Sequence, residues 1–98
     1  MLGTKLVLVM GHGHCGAVTA TMEGKPEPGQ ISALYAAIRP AVDQSGGDLD
    51  KAIRTNAKIH AALLRRASPV ISGLVKDKKM AVLAAYYDLE SGKVAIID

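Results

Sequence analysis

The chain has 98 residues, is 49% hydrophobic with three Tyr and no Phe or Trp, and carries a formal net charge of +3. That length suits a single small domain spanning residues 1–98. One cysteine excludes an intrachain disulfide framework, and no apolar run approaches the roughly 20 residues of a membrane span.

Cysteine usage fits a reducing compartment, and the N-terminal apolar run is too short for a secretory signal. The expectation is a cytoplasmic protein with no membrane partner. Basic residues gather only mildly, at Arg65-Arg66 and Lys76-Asp77-Lys78-Lys79. No recognition motif accompanies them and aromatics are too few to stack bases, so nucleic acid is excluded as a partner. The apolar content is mainly Ala, Val, Leu and Ile, and a chain this small leaves much of it hard to cover. Self-association into a homo-oligomer is therefore expected.

In chain order, residues 1–4 read as the tail of a helix with its glycine stop. Residues 6–10, Leu-Val-Leu-Val-Met, form an unbroken apolar run, predicted as a strand buried on both faces. Residues 11–16 form a glycine-rich elbow, and residues 17–22 a short helix. Residues 24–29 are dense in turn formers and read as a loop. A helix follows over residues 31–42, with Ile31, Leu34, Tyr35, Ile38 and Val42 on one stripe. Pro40 is expected to bend or stop it.

Residues 44–48 are a glycine-containing connection with Asp48 as a helix cap. The longest helix is predicted over residues 49–67. Its dry side is Leu49, Ala52, Ile53, Ile59, Leu63 and Leu64; its wet side is Lys51, Arg54, Lys58 and Arg65. Ser68 caps a further helix that has Pro69 at its first position and ends at Lys76. Residues 80–87 are a second buried strand, in which Tyr86 and Tyr87 face opposite sides. After a turn at residues 88–92, residues 94–97 return as an antiparallel edge strand. The predicted class is α/β: a small Rossmann-like, mainly parallel sheet flanked by helices, closed by that edge strand.

The reactive groups concentrate at the elbow, Gly11-His12-Gly13-His14-Cys15-Gly16. Strand, glycine turn and helix form the junction at which α/β proteins build sites. His12 and Cys15 lie three apart across the turn, so an imidazole nitrogen and a thiolate can converge on one cation. Zinc takes this pair, and a catalytic zinc uses three protein ligands and one open position. His14 is a possible extra ligand. The amides of Gly13, Gly16 and Ala17, at the start of a helix, are candidates for holding a small anion. The same residues are also compatible with a bare tight turn and solvated imidazoles. His60, beside the apolar stripe of the long helix, reads as a packed histidine. Asp43, Asp48 and Asp50 lack the ligand spacing of a calcium loop.

Val9-Met10-Gly11-His12-Gly13-His14-Cys15-Gly16-Ala17-Val18 resembles the zinc-binding segment of the β-class carbonic anhydrases, in which Gly-His-x-x-Cys-Gly-Ala follows a central strand. Asn56, Ser68-Pro69-Val70-Ile71 and the stretch from Ala84 to Val94 resemble later parts of the same family. The resemblance implies a Zn2+ lyase that interconverts carbon dioxide and bicarbonate as a dimer or higher oligomer. It makes His12 and Cys15 metal ligands and leaves His14 at a variable place. The family also carries an earlier Cys-x-Asp-Ser-Arg segment, whose Cys is the third ligand and whose Asp and Arg gate the open position. Here no Cys precedes Cys15, no acidic residue precedes Glu23 and no Arg precedes Arg39. The expectation is thus a chain truncated relative to the family. It is either an enzyme whose metal site is completed by other donors, or a non-catalytic oligomer-forming or anion-binding module.

Overall fold

The computed structural model describes residues 5–24 and 31–98. Its elements are β1 (Lys5–His12), α1 (Gly16–Glu23), α2 (Ile31–Ser45), α3 (Leu49–Arg65), α4 (Pro69–Lys76), β2 (Met80–Tyr87) and β3 (Val94–Ile96). They form one three-stranded sheet of order β1-β2-β3. β1 and β2 are parallel, in register from Lys5↔Met80 to His12↔Tyr87, and β3 returns antiparallel along the last residues of β2. The α/β class is as expected. The predicted helix tail at residues 1–4 and most of the predicted loop at 24–29 lie outside the described residues; Gly24 is the left-handed C-cap of α1.

Turn and cap chemistry place the boundaries. Asp48 accepts from the Lys51 N–H at 3.1 Å and opens α3. Ser68 accepts from the Ile71 N–H at 3.1 Å and opens α4, with Pro69 in its first turn. The turn after β2 is closed by the Asp88 carboxylate, which accepts from the Glu90 N–H and the Ser91 hydroxyl.

α3 packs against both long strands and against α2, which in turn packs on α1. Two buried clusters result. One joins Val18, Ile38, Ala52 and Ile53 beneath the elbow; the other joins Ala57, Ala61, Val82 and Ala84 between α3 and the sheet. Three of the four buried residues of α3 are alanines, which lets its backbone approach the strands closely.

Four expectations need correction. First, β1 is not buried on both faces. Leu6, Leu8 and Met10 are 59%, 38% and 45% exposed, while Val7 and Val9 pack against the second cluster. An apolar run reports low polarity, and here it belongs to a sheet-end strand covered on one side. Second, α2 is not stopped by Pro40; the helix runs on to Ser45 with Pro40 inside it. Proline removes the bond to the Ala36 carbonyl, and both residues are exposed, so water meets the orphaned oxygen. Third, Leu34 and Leu63, assigned to apolar stripes, are 51% and 49% exposed. Fourth, Arg54 and Arg65, assigned to the wet side of α3, reach back to the sheet. The Arg65 Nε–H donates to the Val82 carbonyl at 2.8 Å, and its guanidinium pairs with Asp98. That contact satisfies a β2 carbonyl that the short β3 does not reach.

Candidate metal centre

The elbow sits where β1 ends and α1 begins. The strand continues through Gly11 and His12, so the turn proper is only residues 13–15. Gly11 is required by packing: a Cβ there would lie 2.9 Å from Ile53 Cγ2 and 3.1 Å from the Ile53 carbonyl oxygen. The first turns of α3 thus press directly on the end of β1. Gly13 is less tightly confined: a Cβ there would meet the Tyr86 hydroxyl, a side-chain tip, at 3.1 Å. Gly16 has open space around it. His14 takes the left-handed conformation, φ 57°, which histidine tolerates better than β-branched residues do.

His12 is exposed, and its Nδ1 lies 3.1 Å from the Gly13 carbonyl oxygen. A carbonyl only accepts, so Nδ1 is the donor in this contact, which leaves Nε2 as the ring nitrogen available to a metal. Metal-ligating histidines are commonly oriented by just such a bond from the other ring nitrogen. Cys15 is the N-cap residue of α1, half-buried, with its side chain against the first core cluster. Its own carbonyl accepts from the Thr19 hydroxyl at 2.9 Å. The Gly13 N–H donates to the Tyr87 carbonyl at 3.1 Å. That amide is therefore engaged in extending the sheet and is not offered to an anion, a correction to the expected set. Gly16 and Ala17 stand in the first turn of α1, where helix amides lack intrahelical acceptors.

His12 and Cys15 are of the donor types that zinc takes. An oriented imidazole and a thiol at a helix start are zinc donors. Among the described residues, however, no three His, Cys, Asp or Glu side chains gather where they could hold a metal ion. His60, the remaining histidine, is turned toward α2, its Nε2 3.3 Å from the Ala37 carbonyl.

A polar cluster beside the elbow was not anticipated. The Tyr86 hydroxyl donates to Asp50 Oδ1 at 2.6 Å, and the Arg54 Nε–H donates to Asp50 Oδ2 at 2.9 Å. The Arg54 guanidinium also stacks 4.0 Å above the Tyr86 ring. The Tyr86 hydrogen bond, then the Arg54 one, holds the Asp50 carboxyl below its ordinary range; the same Asp50 contact raises the Tyr86 phenol. The Asp50–Arg54 spacing of four on a helix was a legible signal. The tyrosine's part in the cluster depends on how the sheet stacks on α3.

Comparison with known proteins matches the carbonic anhydrase family over residues 1–94. The chain belongs to that family. Its fold is similar to that of the β-carbonic anhydrase CcaA, with a TM-score of 0.76 and 20% identity over 96% of this chain and 51% of that one. A tetrameric β-carbonic anhydrase from the filamentous ascomycete Sordaria macrospora gives a TM-score of 0.74 and 14% identity, over 95% and 52% of the two chains. The chain thus spans about half the length of the solved structures it matches. No protein of curated function matches it.

Proposed function

We propose that this chain is the His–Cys half of a β-carbonic-anhydrase zinc site, a single-domain metal-binding module that takes Zn2+ through His12 Nε2 and Cys15 Sγ. The observation that carries this reading is the His12 ring, held through Nδ1 to its own turn so that Nε2 is presented as a ligand. Membership of the family supports it. Zinc, when bound with an open position, supplies a water that ionises near neutral pH. This chain's own contribution is to orient the imidazole and to set the thiol at the start of α1, with His14 between them in the turn.

Interconversion of carbon dioxide and bicarbonate follows only where a further donor completes the set, because two side chains are one short of a catalytic zinc's three. Carbon dioxide and bicarbonate, or another small anion, are the ligands this reading assigns. The first-turn amides of Gly16 and Ala17 are the candidate contacts for an anion. The cytoplasm is the assigned location, on the strength of the lone cysteine. No helix among the described residues is long and apolar enough to cross a membrane.

The test is cobalt(II) and zinc titration of the purified chain. The expected result is one metal per chain, with a thiolate-to-cobalt absorption band that Cys15→Ser abolishes and His12→Ala weakens. Carbon dioxide hydration by the zinc-loaded chain alone is expected to stay at the uncatalysed rate. Absence of the thiolate band refutes the ligand assignment; hydration that disappears in Cys15→Ser refutes the half-site reading.

A further inference from the structure

Tyr86 stands between α3 and the elbow. In the parallel register it lies beside Gly11, and its ring packs against the first core cluster, as Cys15 does. From there the phenol reaches Gly13: a Cβ on Gly13 would lie 3.1 Å from Tyr86 Oη and 4.0 Å from its Cζ. Gly13 does not have the positive φ that calls for glycine. What the absent side chain leaves is room for the phenol.

A phenol tip is free to swing with its ring, but this one is tethered. Its hydroxyl donates to Asp50 Oδ1 at 2.6 Å, and the Arg54 Nε–H donates to Asp50 Oδ2 at 2.9 Å. The Arg54 guanidinium carbon lies 4.0 Å from the centroid of the Tyr86 ring, so α3 holds that ring by its tip and by its face. Gly13, in turn, is the residue that orients His12. Its carbonyl oxygen lies 3.1 Å from His12 Nδ1, while its own N–H donates to the Tyr87 carbonyl at 3.1 Å. Two constraints therefore meet at Gly13: β2 holds its N–H, and the phenol braces its Cα. Together they aim the carbonyl that His12 uses.

We propose that Tyr86, tethered by Asp50, is a positioning residue for the elbow: its hydroxyl braces Gly13 and so keeps the Gly13 carbonyl where it orients the His12 ring. The functional consequence rests on the reading of His12 as a metal ligand; the brace itself belongs to the metal-free chain. Removing the hydroxyl leaves the ring, the sheet and the helix packing in place and takes away only the atom nearest Gly13. Partners that orient a metal ligand directly are worth about 10–100-fold in affinity. Tyr86 acts one step further out, so the lower end of that range applies.

The test follows the His12 ring nitrogens by nitrogen-15 NMR in the metal-free whole chain, at a pH where the imidazole is neutral. The parent is expected to hold the proton on Nδ1, and Tyr86→Phe to move it toward the Nε2–H tautomer that unconstrained histidine favours. Asp50→Ala is expected to act as Tyr86→Phe does. Asp50→Asn keeps an acceptor for the phenol and is expected to retain the parent's tautomer. Asp48→Ala is the control: it removes the N-cap of α3 and lowers stability, yet it is expected to leave the tautomer alone. Cobalt(II) affinity is expected to fall about tenfold in Tyr86→Phe and to hold in Asp48→Ala. A His12 tautomer that Tyr86→Phe leaves unchanged overturns the proposal, as does an equal shift in Asp48→Ala. The two readings fail separately. A chain that shows the tautomer shift but binds no cobalt keeps the brace and loses the ligand assignment. One that binds cobalt equally well, with the same tautomer, before and after Tyr86→Phe keeps the ligands and loses the brace.

Discussion

At the scale of the residue, the elbow depends on two glycines and one hydrogen-bonded trio. The glycine at position 11 faces both the branched Ile53 side chain and its backbone, whose carbonyl oxygen lies 3.1 Å from where a Cβ would be. Gly11→Ala must therefore push α3 off β1, at a cost of about 1–3 kcal/mol. Gly16→Ala meets nothing within 4 Å and is expected to be neutral or slightly stabilising. Urea unfolding of the pair checks the contrast, and equal destabilisation contradicts it. The Asp50–Tyr86 contact links stability to pH at both ends. Asp50 is held low by the Tyr86 and Arg54 hydrogen bonds, so its contribution is present above the ordinary carboxylate pKa and is lost as pH falls through the lowered value. Tyr86 is held high by Asp50, so its contribution is present below the ordinary phenol pKa and is lost as pH rises through the raised value. Tyr86→Phe is expected to flatten the alkaline limb of a Tm–pH profile and to move the Asp50 carboxyl, followed by carbon-13 NMR, back toward its ordinary range. A variant with the parent's profile shows the link to be absent.

At the scale of the element, α2 carries the clearest internal cost. Pro40 lies inside a helix of 15 residues, where proline is about 3 kcal/mol less favourable than alanine. Pro40→Ala restores an N–H for the Ala36 carbonyl. It is expected to stabilise the chain by at most about 3 kcal/mol, lessened by the freedom the unfolded chain regains when proline is removed. The denaturation midpoint reads this directly, and a midpoint that does not rise refutes it. The strands differ in their exposure for a topological reason. β2 lies between two neighbours and beneath α3, so Val82 and Ala84 are buried. β1 has one neighbour and helices on one face, so every second residue meets solvent. The two strands are similarly apolar in sequence; position in the sheet separates them.

At the scale of the whole molecule, stability rests on two apolar clusters that need no metal. Chelation is accordingly expected to leave the far-ultraviolet circular dichroism unchanged. Loss of helical signal in chelator assigns the metal a structural role instead.

Local chemistry determined much of this protein without reference to the fold. Asp48, Ser68 and Pro69 marked helix starts because caps act over a few residues. The residue 80–87 strand and the turn after it were legible for the same reason. The Gly-His-x-x-Cys elbow was legible because strand, glycine turn and helix are contiguous. Tertiary structure alone decided what apolar and charged residues do at a distance. Leu6, Leu8 and Met10 became an open face, Arg65 capped a strand carbonyl, and Tyr86 joined Asp50 across 36 residues. It also engaged the Gly13 amide in the sheet. Hydrophobicity and charge specify what a side chain tolerates, whereas the neighbour it meets is set by the stacking of helix on sheet.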